Sequence, residues 1–280
     1  MKIDGRGRLY LCATPIGNLQ DITLRAIETL RRVDLVAAED TRRTRKLFSR
    51  HDIHTPMMSY REENRLKAGH KVIECLEGGG DVALVSDAGV PGISDPGTHL
   101  VSMCLERDIE VEALPGPNAA LTALVISGLP TGRFIFEGFL PRKKGPRCRA
   151  LEELQEEERT MVFYESPARI ARTLADIEDV LGDRRVALAR ELTKKFEEVI
   201  RGNVSGVRER IGEEPVRGEL VLVVEGSTGE RGVTEEEALG EVERLRSSGM
   251  SLKDAVSAVA VKGSGLSRSK IYNLALKRLG

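Results

Sequence analysis

The sequence predicts an α/β protein: two α/β domains followed by a small helical module. Three observations carry that prediction. Short β-like runs alternate with helix-like stretches from Leu9 to about Val125, a second such series begins near Phe134, and after GSTGERG the pattern becomes purely helical.

In the first series LYLCA, LVAA, VALVS and VEAL read as strands, and TLRAIETLRR reads as a helix with Leu24, Ile27 and Leu30 on one face. Such alternation argues for a mainly parallel sheet. GGGDV, at Gly78 to Val82, matches neither a P-loop nor a dinucleotide fingerprint, and it precedes a strand, so it reads as a helix end. SGLPTG, around Gly128 to Gly132, interrupts both patterns with turn residues and places the domain boundary, giving domains 1–128 and 129–228.

The second series supplies FIFEGF, TMVFY, VALAR and GELVLVVEG as strands. Ser166 and Pro167 offer cap and first-turn chemistry for a helix carrying Ile170, Leu174, Ile177 and Leu181 before Gly182. In the tail, 233–280, Thr234 with Glu237 and Ser251 with Asp254 match capping boxes, and a third helix starts near Ser267 with Ile271 and Leu274.

With 40% hydrophobic and 31% charged residues, the 280-residue chain fits a soluble globular class rather than a disordered one. The apolar stretch in MKIDGRGRLYLCATPIG is far shorter than the ~20 residues of a membrane span and too short for a signal-peptide core, so a cytoplasmic protein with no membrane association is expected. Cys12, Cys75, Cys104 and Cys148 lie far apart, without a C-x-x-C pair. Together with only four histidines and no H-E-x-x-H, this argues against a disulfide framework and against a metal site. G-x-S-x-G is also missing.

The net charge is −1, but it is segregated. Residues 41–50 carry +5, residues 141–149 (PRKKGPRCR) another +5, and the chain from Arg244 onward +7, so the remaining residues carry −18. Phosphate contacts are local, and a neutral protein with basic patches can bind RNA. Each run taken singly reads equally well as a solvated face.

VALVSDAGVPGISDPG sets Ser86 and Asp87 at a strand end before five Gly or Pro residues. Ligands in open α/β sheets sit beyond the carboxyl ends of strands, where a glycine-rich loop exposes backbone N–H and C=O groups. Asp87 and Asp95 either face a ligand there or only bond their own turns. ATPIGNLQDIT places Pro15, Gly17 and Asn18 at the corresponding point after the first strand, with Asp21 or Thr23 as the competing cap reading. AAEDTRRT sets Glu39 and Asp40 at the second strand end before Arg42 and Arg45, as a functional edge or a capped helix with salt bridges; spacing alone favours the cap. PGPNAALTAL puts Asn118 at a helix start behind a rigid turn, where unpaired N–H groups can meet a carboxylate or ribose.

Taken in order, ATPIGNLQDIT, AAEDTRRT, SDAGVPGISDPG, PGPNAALTAL and FYESPARI resemble the tetrapyrrole (corrin/porphyrin) methylase superfamily, and within it the ribosomal branch of 16S ribosomal RNA cytidine 2′-O-methyltransferases. The resemblance runs from about Leu9 to Gly226, and the basic tail is similar to that branch's C-terminal module. It implies S-adenosylmethionine as cofactor in a cleft between the two domains, a homodimer, and methylation of a cytidine ribose in the decoding region of the assembled small subunit. It assigns the cofactor surface to Pro15, Asp87, Gly89, Val90, Ile93, Asn118 and Ala119, and in the second domain to Tyr164, Glu165, Arg190 and Glu219. Where the family block reads serine, an aromatic, then His-Glu-His-Asn, this chain reads SYREEN, with Arg61 and Glu63 at the histidine positions, so no histidine base is expected.

A ribose hydroxyl gains from a nearby base. Glu39 or Glu62 is expected to accept its proton or orient it, while Arg42, Arg45, Arg142, Lys143, Lys144, Arg147 and, in the tail, Lys270 hold RNA. Two other readings remain: a tetrapyrrole methylase on the same fold, against which the basic runs and tail count, and a non-enzymatic nucleic-acid-binding protein with a helix-turn-helix tail, which leaves the glycine-rich loops without a purpose. A stacking platform for single-stranded RNA has little support in a chain with no Trp and 4% aromatics.

Overall fold

The computed structural model describes residues 5–212, 216–228, 235–261 and 268–279. The chain divides into two compact units, Met1–Thr122 and Ala123–Gly280.

The first unit runs β1 (Leu9–Cys12), α1 (Leu24–Arg32), β2 (Leu35–Ala38), α2 (Thr41–Arg50), β3 (Met57–Ser59), α3 (Arg65–Glu77), β4 (Val82–Val85), α4 (Thr98–Leu105), β5 (Val111–Leu114) and the start of α5 (Ala119–Ser127). Its sheet has the order β3-β2-β4-β1-β5, every pair parallel, as the alternation predicts. Side chains alternate across it. Tyr10, Cys12, Val36, Ala38, Ala83 and Val85 pack with α1 and α2 through Ala26, Leu30, Leu47 and Phe48. Leu9, Ala37, Val82 and Leu84 face α3 and α4 through Val72, Leu76, Leu100 and Met103. Burial on both faces explains why β2 and β4 read as unbroken apolar runs. It stabilises the unit by about 1.5–3 kcal/mol for each fully buried large aliphatic side chain.

The strand order has one functional consequence. From β1 the chain crosses over α1 toward β2, whereas from β4 it crosses over α4 toward β5 in the opposite direction. β1 and β4 are hydrogen-bonded neighbours, so the loops leaving their carboxyl ends diverge at a topological switch point.

The second unit continues with β6 (Phe134–Phe139), α6 (Lys144–Glu153), β7 (Thr160–Glu165), α7 (Ile170–Leu181), β8 (Arg185–Arg190), β9 (Glu198–Asn203), α8 (Val204–Ile211) and β10 (Leu220–Val224). Its sheet is mixed, in the order β6-β7-β10-β8-β9, with only β6 and β7 parallel among the paired neighbours. Met161, Phe163, Leu188 and Leu222 form a core with Leu151 of α6, Leu174 and Ile177 of α7 and Val207 of α8. The helix expected from Ser166 begins later, at Ile170. Residues 166–169 form a turn in which the Ser166 carbonyl accepts the N–H groups of Arg169 and Ile170.

Helices α9 (Glu235–Ser247), α10 (Leu252–Val261) and α11 (Arg268–Leu279) share a core of their own, including Leu239, Val242, Val256, Val259 and Ile271. The predicted box at the start of α10 is formed: Ser251 Oγ accepts from Asp254 N at 3.2 Å and donates to Asp254 Oδ2 at 2.6 Å. The expected cap at Thr234, the helix start at Ser267 and the side chain of Lys270 lie outside the described residues. No helix among the described residues is long and apolar enough to cross a membrane.

Candidate functional site

The carboxyl edge of the parallel sheet is built from five loops, and hydrogen bonds join four of them. Thr14 N donates to Gly89 O at 2.9 Å and Gly89 N to Thr14 O at 3.0 Å, tying the loop after β1 to the loop after β4 across the switch point. Gly89 has φ +77°, a left-handed conformation in which a side chain is strained. Thr14 Oγ1 adds a bond to Ser86 O at 3.1 Å. The loop after β2 joins through carboxylates: Asp87 N donates to Glu39 Oε2 at 3.0 Å, and Asp40 N donates to Asp87 Oδ1 at 2.9 Å.

Asp40 caps α2, accepting from Arg42 N at 2.9 Å, while Arg42 also pairs with its carboxylate at 2.7 Å. The Arg42 hydrogen bonds hold the Asp40 carboxyl far below the usual carboxylate range. The cap reading of AAEDTRRT therefore holds for Asp40, while Glu39 lies at the sheet edge bonded to the loop after β4. Burial pushes the Glu39 carboxyl up, against the bond from Asp87 N and the nearby charges of Arg43 and Arg61. Asp95 joins the same group: burial and the neighbouring Glu39 push its carboxyl up to about 6, with a bond from Ser86 opposing. Among the described residues, no group of three or more acids, histidines or cysteines is arranged to hold a metal ion.

The block SYREEN reaches this edge. Arg61 Nε donates to the Glu39 carbonyl at 2.9 Å, and Asn64 Oδ1 accepts from Arg61 N at 2.7 Å. Glu62 is exposed and paired with Arg65. Arg43, which the sequence did not single out, pairs with Asp87 at 3.3 Å. Asn118 is a helix cap, its Oδ1 accepting from Leu121 N at 3.0 Å, and Ala119 begins α5. Pro15 is buried, Val90 half-buried and Ile93 exposed at this edge.

In the second unit the expected residues also meet at one edge. Leu220, at the start of β10, stands opposite both Glu165 at the end of β7 and Arg190 at the end of β8, with Tyr164 and Glu219 one position away. Tyr164 packs edge-on to Phe136 at 5.0 Å. Glu191 Oε1 accepts from Glu219 N at 3.0 Å and from Lys194 Nζ at 2.8 Å, and Lys194 also reaches Glu219 at 3.1 Å. Glu191 and Thr193 both have positive φ, local strain that marks a built loop. Glu165 is buried and committed internally: it accepts from Ser166 N at 2.7 Å and Thr173 Oγ1 at 2.6 Å, and pairs with Arg169 at 3.2 Å. Its side chain organises the turn at 166–169.

The two basic runs differ in what they expose. Arg42 and Arg45 are exposed on α2, and Arg142, Lys143 and Lys144 are exposed before and at the start of α6. Arg147 is buried, with Nε 2.7 Å and Nη2 2.5 Å from Asp176 Oδ2, and Nη1 donates to Arg142 O at 3.0 Å. That corrects its expected part in holding RNA directly, because its donors are occupied within the protein.

A carboxylate-bearing loop edge at the switch point of a doubly wound sheet is the ligand site of α/β enzymes. The profile of the family described as Tetrapyrrole (Corrin/Porphyrin) Methylases matches residues 8–207, and the chain belongs to that family. It is similar to the ribosomal RNA small subunit methyltransferase I of Bacillus subtilis (strain 168), 49% identical over 262 residues, 91% of this chain and 89% of the relative. The protein of the same name from Thermotoga maritima is 48% identical over 220 residues, 79% of this chain and 99% of that relative. Among solved structures it resembles a diphthine synthase (13% identity, TM-score 0.62, 79% of this chain and 91% of that one). It also resembles the uroporphyrin-III C-methyltransferase of Thermus thermophilus complexed with S-adenosyl homocysteine (20% identity, TM-score 0.56, 78% and 97%).

Proposed function

We propose that the chain methylates small-subunit ribosomal RNA with S-adenosylmethionine as donor, at the 2′-hydroxyl of a cytidine in the decoding region of the assembled subunit. The observation that carries this reading is the switch-point edge, where Glu39, Asp87 and Asp95 gather beside the exposed cations of α2. The relatives' shared name supports the choice of ribosomal RNA.

The residues present fit the donor. Exposed Ile93 and half-buried Val90 offer apolar contact to an adenine, Asp87 and the backbone of 87–93 offer polar partners to a ribose and amino acid, and the carboxylates suit a sulfonium. Pro15, Gly89, Asn118 and Ala119 shape this edge, and Tyr164, Arg190 and Glu219 at the edge of the second sheet are further candidates for contact with the donor. S-adenosylmethionine supplies an electrophilic methyl group whose transfer leaves a neutral thioether.

Glu39 is the proton acceptor in this reading, in preference to Glu62. Its Oε2 is fixed by Asp87 N, which orients Oε1 for the ribose hydroxyl, and its raised pKa makes it a better base than an ordinary carboxylate. Glu62, exposed and paired with Arg65, lacks that fixing. Arg42, Arg45, Arg142, Lys143 and Lys144 contact phosphates, which positions RNA without reading its sequence. Helices α9–α11, with Lys270 on α11, add a subunit-binding surface outside the family match. Their position outside the family match supports a role for these helices in binding rather than chemistry. Leu121 and Val125, exposed one turn apart on α5, support assembly as a homodimer, which sedimentation would show.

Digestion of the methylated RNA to nucleosides tests the reading. The expected product is 2′-O-methylcytidine; a base-methylated nucleoside would overturn it.

A further inference from the structure

Unit 2 contains a cavity of about 380 Å³ walled by Arg142, Lys144, Arg147, Arg169, Arg172 and Asp176, five cations against one carboxylate. Helical spacing explains the assembly. Lys144 and Arg147 stand three apart on α6, while Arg172 and Asp176 stand one turn apart on α7, with Arg169 at its cap.

The cations divide into two kinds. Arg147 is neutralised by Asp176 and bound to the carbonyl of Arg142; Arg169 is paired with buried Glu165 and donates to Leu140 O at 2.6 Å. These two hold the loop 140–144 from below. Arg142, Lys144 and Arg172 are exposed, and the one carboxylate in the wall, 3.5 Å from Lys144 Nζ, is already matched by Arg147. Three positive charges therefore remain without a matching carboxylate in the cavity wall.

We propose that this cavity binds a phosphodiester of the RNA backbone, with Arg172 a direct ligand beside Arg142 and Lys144, and with Arg147 and Arg169 as positioning residues. Guanidinium groups match phosphate oxygens as a planar fork. No aromatic side chain lines the cavity, so it offers no stacking surface for a base and reads backbone rather than sequence. The inference rests on the proposed RNA substrate and deepens it.

The test measures binding of the full-length protein to unmodified small subunits across a salt series, for the parent, Arg172→Gln, Lys144→Gln and Lys71→Gln, the last an exposed cation on α3. Arg172→Gln and Lys144→Gln are each expected to weaken binding several-fold and to reduce the slope of log affinity against log salt by about one, while affinity for S-adenosylmethionine stays at the parent's value. Lys71→Gln is expected to keep the parent's slope. If the parent binds and methylates subunits but the cavity variants keep its slope, or Lys71→Gln loses as much, the cavity assignment is overturned and the proposed function stands. A parent that neither binds nor methylates subunits overturns both.

Discussion

The carboxylate of Glu39 accepts the backbone N–H of Asp87 at 3.0 Å, although the two residues are 48 positions apart. Asp87 returns the link by accepting the N–H of Asp40 at 2.9 Å, so the loops after β2 and β4 are locked by two reciprocal bonds. A side chain held at one oxygen loses little further freedom when its other oxygen meets a hydroxyl, which is the geometry a proton acceptor needs.

Replacing Glu39 by Gln keeps an acceptor for Asp87 N and removes the base. Single-turnover methylation is expected to slow by about 10²–10⁴-fold with donor affinity unchanged, whereas Glu62→Gln stays near the parent rate. Equal rates for parent and Glu39→Gln would remove Glu39 from this role.

Arg61 lowers the pKa of Glu39, which burial raises. Removing that cation in Arg61→Gln disfavours the charged carboxylate, so the pKa of Glu39 rises further. The acid limb of the single-turnover pH–rate profile should move to higher pH. An unmoved limb would show that the titrating group is not Glu39.

Asp95 has a folded pKa of about 6 against its ordinary 3.8. In that window the folded state binds more protons than the unfolded one, so this group's contribution to stability is lost as pH rises through it. Asp95→Asn removes the loss. Urea denaturation should show the variant gaining on the parent between about pH 4 and pH 7; a difference independent of pH would contradict the burial argument.

The Arg147–Asp176 pair is buried at both ends. Asp176→Asn strands a buried guanidinium and should cost about 3–5 kcal/mol in denaturant unfolding, while the double change Arg147→Met with Asp176→Leu should recover much of it. A cost below about 1 kcal/mol for Asp176→Asn would mean the pair is solvated like a surface pair.

Deletion of residues 233–280 is expected to weaken subunit binding and leave affinity for S-adenosylmethionine intact. Calorimetric titration of the donor checks the second half, and lost donor binding would contradict the separation of roles.

The doubly wound sheet was legible in the sequence because strands buried on both faces appear as continuous Val, Leu and Ala runs. β3 and β9 were not: Met57–Ser59 is three half-buried residues, and Glu198–Asn203 is an edge strand with the polar composition that edges favour. At the site, turn chemistry at strand ends pointed to Asp87, to Gly89 with its positive φ and to Asn118 with its cap. Asp95 carried only the signal of a turn residue, since its neighbour Glu39 arrives from the loop after β2. Arg147 looked like the other cations of its run, because its partner Asp176 lies 29 positions away on another helix. For the same reason Arg169 and Arg172 carried no signal that local spacing could expose.

The most direct test incubates the protein with labelled S-adenosylmethionine and, separately, small subunits lacking the modification, free ribosomal RNA, or a tetrapyrrole. Label in the RNA of the assembled subunit, and little in free RNA or tetrapyrrole, is the predicted result. Label in the tetrapyrrole alone would contradict the account.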